Sequence, residues 1–167
     1  MYLKLDTHTL DSLPMVWVDK NRLEQVIYNL VGNAAKFTDK GGVTISAKHD
    51  DKHGVVKVLV TDTGRGMTLQ SQQLLFHKFQ QASSSLLTRD TTRGTGLGLY
   101  ISKMIIEIMS GTINLEKSIE GQGTVFSFTV PVVTDKLKAA NQVRVDAENT
   151  AVTDSNTGLT VTHKEQE

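Results

Sequence analysis

The chain contains no cysteine, which excludes disulfides and thiolate metal sites and leaves the redox compartment open. It has no charge excess, since 18 Lys and Arg balance 18 Asp and Glu. There is therefore no electrostatic case for nucleic acid or an anionic membrane as a partner. No apolar run approaches the roughly 18 residues of a membrane span, and the first residues, MYLKLDTHTL, lack the apolar core of a signal peptide. No internal repeat is present, and no Gly-Lys-Ser/Thr ending of a Walker-type phosphate loop. What is there, 167 residues at 38% hydrophobic and 22% charged, reads as one soluble globular domain with some tail. It is expected to be cytoplasmic, alone or as the cytoplasmic module of a longer, membrane-anchored chain.

The strongest local pattern is NRLEQVIYNLVGNAAKF, Asn21 to Phe37. Leu23, Val26, Ile27, Leu30, Val31, Ala34 and Phe37 recur at steps of three and four and form one apolar helical stripe. Asp19 stands ahead as an N-cap, and Gly41 and Gly42 follow the end. Asn29, Asn33 and Lys36 share a second stripe along the flank of the apolar one. Two carboxamides and an ammonium at a core edge suit a ligand carrying both a metal and phosphates. By themselves they equally describe a solvated helix edge.

Elsewhere, Tyr2 to Leu5 reads as an edge strand, and Val43–Lys48 and Val55–Val60 as a hairpin around the DDKHG turn. A short helix is expected over Leu69–Phe79. Gln80 to Arg93 is polar and without period, and reads as a mobile loop. A helix follows from Gly98 to about Met109, with Leu97, Ile101, Met104, Ile105 and Ile108 on one side and Gly111 ending it. Thr112–Glu116 and Thr124–Val130 complete the strands, and Pro131 closes the domain. Residues 1–134 are expected to form the domain and 135–167 a polar linker or disordered tail. Strands that come mostly as hairpins argue for an α+β two-layer sandwich: a mixed, mostly antiparallel sheet with helices on one face.

Three places can carry chemistry. Asp62, in DTGRG, ends an apolar strand. Its carboxylate can accept a hydrogen bond from an exocyclic amine and so select adenine, whereas guanine presents a carbonyl there. Gly64 and Gly66 let backbone approach a ligand closely. The same residues also fit an ordinary Asx turn. Asp-Thr-Gly further resembles an aspartic-protease signature, but there is one triplet, Arg65 follows the Gly, and the flanking helices suit that barrel poorly. Gly94-Thr95-Gly96-Leu97-Gly98 opens a helix, where exposed N–H groups suit phosphate. A Rossmann loop needs a preceding strand, and DTTR stands there instead.

Together these elements resemble the catalytic and ATP-binding domain of sensor histidine kinases, within the superfamily that includes gyrase B, Hsp90 and MutL. NLVGNAAKFT resembles the N box, DTGRGM the first glycine box, LFHKFQQ the F box, RGTGLGLYISK the second glycine box and GQGTVFSFTVP the terminal strand motif. The resemblance runs from about Leu13 to Pro131, and five motifs in family order make it specific. It implies a Bergerat-type ATP-binding fold with ATP and Mg2+ as cofactors. Asn33 would be the metal ligand. Asn29, Lys36 and Arg93 would position phosphate, and Asp62 would hold the adenine amine. Gly64 and Gly66 would line the base pocket, and Thr124 would support Asp62 directly or through water. Residues 80–98 would be the ATP lid, started by Phe76 and Phe79, with Arg93, Gly94, Thr95, Gly96, Leu97, Gly98 and Leu99 about the phosphates.

Two departures refine that expectation. ATP-hydrolysing relatives carry a Glu four residues before the metal Asn, where this chain has Asn29, and a neutral amide cannot accept a proton near neutral pH. This argues for transfer to a protein side chain rather than hydrolysis. The dimerisation hairpin that carries the phosphoacceptor His is missing. His49 precedes an acidic residue only at a strand-to-turn junction, and His8, His53, His77 and His163 have no acidic follower. The implied partners are therefore a separate dimerisation and His-phosphoacceptor domain and, downstream, a response-regulator receiver domain. The alternatives are a nucleotide-binding regulatory module without transfer, and a Ser kinase of the anti-sigma type, which LFHKF and the lid length disfavour.

Overall fold

The computed structural model describes residues 1–10, 12–76 and 97–134. The elements are β1 (Tyr2–Leu5), α1 (Lys20–Lys36), β2 (Gly42–Asp50), β3 (Val55–Asp62), α2 (Leu69–Gln73), α3 (Gly98–Ile108), β4 (Ile113–Ile119) and β5 (Gly123–Pro131), with one 3-10 turn at Thr7–Thr9. The strands form one sheet in the order β1-β2-β3-β5-β4. β1 runs parallel to β2, and every other pairing is antiparallel. The α+β fold is thus the expected one, a mixed and mostly antiparallel sheet with helices on one face. Beyond β5, Val132 pairs with Val16, which is where the MVWV run goes. The compact unit runs from Met1 to Val132. The expected tail, 135–167, lies outside the described residues.

The core is built on one face of that sheet. Val43 and Ala47 of β2, Val56 and Val60 of β3, Phe126, Phe128 and Val130 of β5 and Ile113 of β4 are buried with Val26, Leu30 and Ala34 of α1 and Ile105 and Ile106 of α3. Register explains the selection. Val60 faces Phe126, Val56 faces Val130 and Phe128 faces Ile113, so the side chains of alternate residues share the helix side. Asp62 and Thr124 are the last pair of that same inner row. α1 begins where expected: the Asp19 carboxylate accepts from the Arg22 N–H at 3.0 Å and satisfies one orphan donor of the first turn.

Several boundaries move. β2 and β3 run two residues past the expected Lys48 and Val60, because both rows keep pairing to Asp50 and Asp62. α2 is only five residues long and does not reach Phe79. Phe76 turns out of it at a positive φ of 64° and packs edge-on against Phe126, with ring centroids 6.2 Å apart. β4 extends to Ile119 around a bulge at Glu116, the extra residue between the Leu115–Phe126 and Lys117–Val125 pairs. The bulge brings the Glu116 carboxylate onto Lys57 Nζ (2.7 Å) and Ser127 Oγ (2.5 Å) on the outer face.

On α3 the expected apolar stripe is corrected. Its buried residues are Ser102, Ile105 and Ile106, while Ile101, Met104 and Ile108 are exposed, Ile108 to 81%. Isoleucine and methionine surround most of this helix, so periodicity could not choose between two faces; packing against α1 and the sheet chose the one through Ser102. The end of α3 is corrected as well. Ser110, not Gly111, takes the left-handed conformation (φ 60°). Its N–H donates to Glu107 O and that of Gly111 to Ile106 O, both at 2.9 Å, which is a Schellman closure with serine in the usual glycine place. Ser110→Gly is therefore expected to stabilise the domain by about 0.5–1 kcal/mol, read as a rise in the urea midpoint at unchanged m.

Candidate functional site

Asp62 is the last residue of β3 and is 7% exposed. Its Oδ1 accepts two backbone N–H groups, from Gly64 at 2.8 Å and from Thr124 at 3.2 Å. Its Oδ2 has no partner among the described residues, and no fully buried side-chain oxygen there lacks one, so Oδ2 keeps some access to solvent. Burial pushes the Asp62 carboxyl above the usual carboxylate range, and the two N–H donors pull it partly back. The result is a carboxylate clamped by one oxygen with the other offered outward. Thr124 supports it directly, as one of the two expected routes, but through its backbone. Its hydroxyl is turned to Ser118 Oγ at 3.0 Å.

The loop after Asp62 docks on the C-terminal end of α1. Arg65 N–H donates to Phe37 O at 3.1 Å. A Cβ on Gly64 would lie 2.2 Å from that same carbonyl oxygen, so only glycine allows the approach. Gly66 (φ 64°) has the same constraint against Ile119 O at 2.0 Å. The Phe37 ring is flanked by two cations, Arg65 Cζ at 4.6 Å and Lys36 Nζ at 5.7 Å from its centroid. Arg65 was not expected among the site residues; its neighbour glycines were the visible signal.

One turn back along α1, Asn33 Nδ2 donates to Asn29 Oδ1 at 3.5 Å, and Asn29 Nδ2 donates to Ser102 Oγ at 2.9 Å. Asn33 Oδ1 has no partner among the described residues. Asn29 Oδ1 also lies over Gly98, the first residue of α3, where a Cβ would come within 2.2 Å of it. Leu97 is the N-cap of α3 and Leu99 packs partly buried on the core. The fold therefore brings together Asn29, Asn33 and the start of α3 at Gly98, leaves Lys36 beside the Phe37 ring at the end of α1, and ties the Asp62 to Gly66 loop to that same end. Phe79, Arg93, Gly94, Thr95 and Gly96 lie outside the described residues. Among the described residues no three His, Asp or Glu side chains converge as a metal cage. A neutral amide oxygen such as Asn33 Oδ1 suits a hard cation that takes its remaining ligands from water and phosphate, so these residues fit Mg2+.

A family model described as histidine kinase-, DNA gyrase B- and HSP90-like ATPase matches residues 18–134. The chain belongs to this ATPase family. Its relatives include sensor proteins and histidine kinases. It is 40% identical over 135 residues to the sensor protein EvgS of Escherichia coli O157:H7, covering 79% of this chain and 11% of EvgS. It is 45% identical over 115 residues to histidine protein kinase 1 of Candida albicans, covering 67% of this chain and 4% of that protein. The chain thus spans about a tenth or less of these relatives. Among solved structures it is similar to full-length ShkA in complex with AMPPNP, with TM-score 0.65, 33% identity, 79% of this chain and 26% of that one. It is also similar to the nucleotide-free catalytic domain of the histidine kinase ThkA, with TM-score 0.59, 31% identity, 78% of this chain and 76% of that one. Among the described residues no helix is long and apolar enough to cross a membrane.

Proposed function

We propose that this ATPase-family domain binds Mg-ATP and donates the γ-phosphoryl group to a histidine on a separate dimerisation domain, for relay to a response-regulator receiver domain. The observation that carries the reading is Asp62, clamped through Oδ1 by two backbone N–H groups with Oδ2 left as an outward acceptor. That is the acceptor an adenine amine requires. Asn33 Oδ1 would hold the metal, and Lys36 would set its charge against the phosphates. Arg93, Gly94, Thr95, Gly96, Leu97, Gly98 and Leu99 would close about them, with Phe79 at the lid's start. Mg2+, when bound, neutralises charge on the phosphate oxygens. The P–O bond to ADP breaks, a P–N bond to the imidazole forms, and the imidazole proton leaves to a base outside this chain. Asn29 supports transfer over hydrolysis, since a carboxamide offers no base to activate water.

The test is calorimetric titration with AMPPNP and Mg2+ beside the GTP analogue, followed by mixing with a dimerisation domain and γ-labelled ATP. Adenine-selective binding and acid-labile label on the histidine are expected. Binding without label would leave a nucleotide-binding regulatory module, and acid-stable label would indicate a Ser kinase. Asn33→Ala is expected to remove most of the Mg2+ dependence of triphosphate affinity, about tenfold or more, with Mg2+-free affinity little changed.

A further inference from the structure

A carboxamide has one donor end and one acceptor end, and only the acceptor end can ligate a cation. Which end Asn33 presents is set by its neighbour. Asn33 Nδ2 is turned to Asn29 Oδ1, and this leaves Asn33 Oδ1 outward. Were Asn29 flipped, its NH2 would face Asn33, and Asn33 would turn its oxygen inward and its NH2 toward the metal. The orientation of Asn29 therefore decides whether the metal ligand works, and Asn29 is held from α3. Its Nδ2 donates to Ser102 Oγ at 2.9 Å, and Ser102 is 2% exposed in the packed face of the helix. Its Oδ1 lies over Gly98, in the first turn of α3, where N–H groups without intrahelical partners favour an oxygen over an NH2.

We propose that Ser102 is a positioning residue: its buried hydroxyl, one turn into α3, anchors the Asn29 carboxamide against the Gly98 end of that helix, whose N–H groups select its oxygen, and through it sets the end of Asn33 that meets the metal. This rests on Asn33 as the Mg2+ ligand. It also gives α3 a part in metal binding although none of its side chains needs to touch the ion.

The test uses the whole chain as Ser102→Ala, Asn29→Ala and the double variant. Without ligand, the Asn29 side-chain amide resonances are expected to shift and exchange faster with water in Ser102→Ala. With AMPPNP, Ser102→Ala is expected to lose about tenfold of the Mg2+-dependent gain in affinity while Mg2+-free affinity changes less than twofold. In the Asn29→Ala background the same substitution is expected to add less than twofold. Ser102→Cys, of similar size with a weaker acceptor, should fall between, and serves if the alanine variant does not fold. Equal losses with and without Mg2+, an unshifted Asn29 amide, or an undiminished effect in the Asn29→Ala background would overturn the proposal. If the parent itself fails to bind AMPPNP, the functional reading fails, and the Asn29 resonances alone then decide whether Ser102 fixes that amide.

Discussion

Asp62→Asn is expected to weaken ATP binding by at least about 100-fold without unfolding the domain. Asn can keep the inner contacts, its Oδ1 accepting from Gly64 and Thr124 as the carboxylate does. The outward atom then becomes an NH2 facing the adenine amine, donor against donor. The loss combines a hydrogen bond to a charged acceptor with a buried donor left unpaired. Stability is expected to move the other way. Burial raises the Asp62 carboxyl above its ordinary range, so the folded chain binds that proton more tightly than the unfolded chain. The carboxyl favours folding most when protonated, and that contribution falls as pH rises through the folded-state pKa. At neutral pH an uncharged Asn avoids the desolvation. Urea unfolding near pH 7 should find the variant at least as stable as the parent, with the gap closing as pH falls through the raised folded-state pKa of Asp62. Calorimetry with AMPPNP checks the affinity. A variant that bound normally would remove Asp62 from the base site, and one less stable at neutral pH would mean that its charge helps to hold the fold.

How much of this was readable depends on the kind of signal. α1 was legible because one apolar stripe and a capping Asp19 agree; the N-cap and the core face from Leu23 to Ala34 came out as expected, whereas Phe37, expected on that stripe, caps the end of the helix and is exposed. The sheet was legible as hairpins, but pairing is collective, so the extra residues of β2 and β3 and the bulge at Glu116 appear only when partners are in register. α3 was half legible. Its existence follows from its composition, but apolar side chains on most sides left its buried face undecided, and Ser102 reads in the sequence as a gap in that run. The same holds at the site. Asp62, Asn29, Asn33, Gly64 and Gly66 stand in recognisable motifs. The Asn29–Ser102 contact and the backbone route from Thr124 to Asp62 join residues 73 and 62 positions apart. No local pattern carries such long-range pairs. The domain boundary at 134 stays an expectation, and of the lid expected over residues 80–98 only 97 and 98 lie within the described residues.

Gly123→Ala is expected to cost about 3–5 kcal/mol, the largest loss of stability proposed for a single methyl group in this chain. Two effects coincide there. The residue sits at φ 103°, outside the range of ordinary side chains, and a Cβ would stand 2.0 Å from the Asp62 carbonyl oxygen and 2.9 Å from Thr63 Cα. Those are backbone atoms of the neighbouring strand, so no side chain can swing away to relieve the contact. Gly121 separates the two effects. It shares the positive φ, at 76°, but a Cβ there meets nothing within 4 Å among the described residues. Gly121→Ala should therefore cost only the conformational part, about 1–2 kcal/mol. Urea unfolding of both variants gives the difference directly, and equal losses would mean that the β3–β5 contact yields easily. The site would register that strain as well. Displacing the strands at Gly123 also shifts the Thr124 N–H that holds Asp62 Oδ1, the next residue along. Folded Gly123→Ala is thus expected to bind AMPPNP several-fold more weakly than folded Gly121→Ala, because the acceptor for adenine is only as well placed as the strand pair that carries it.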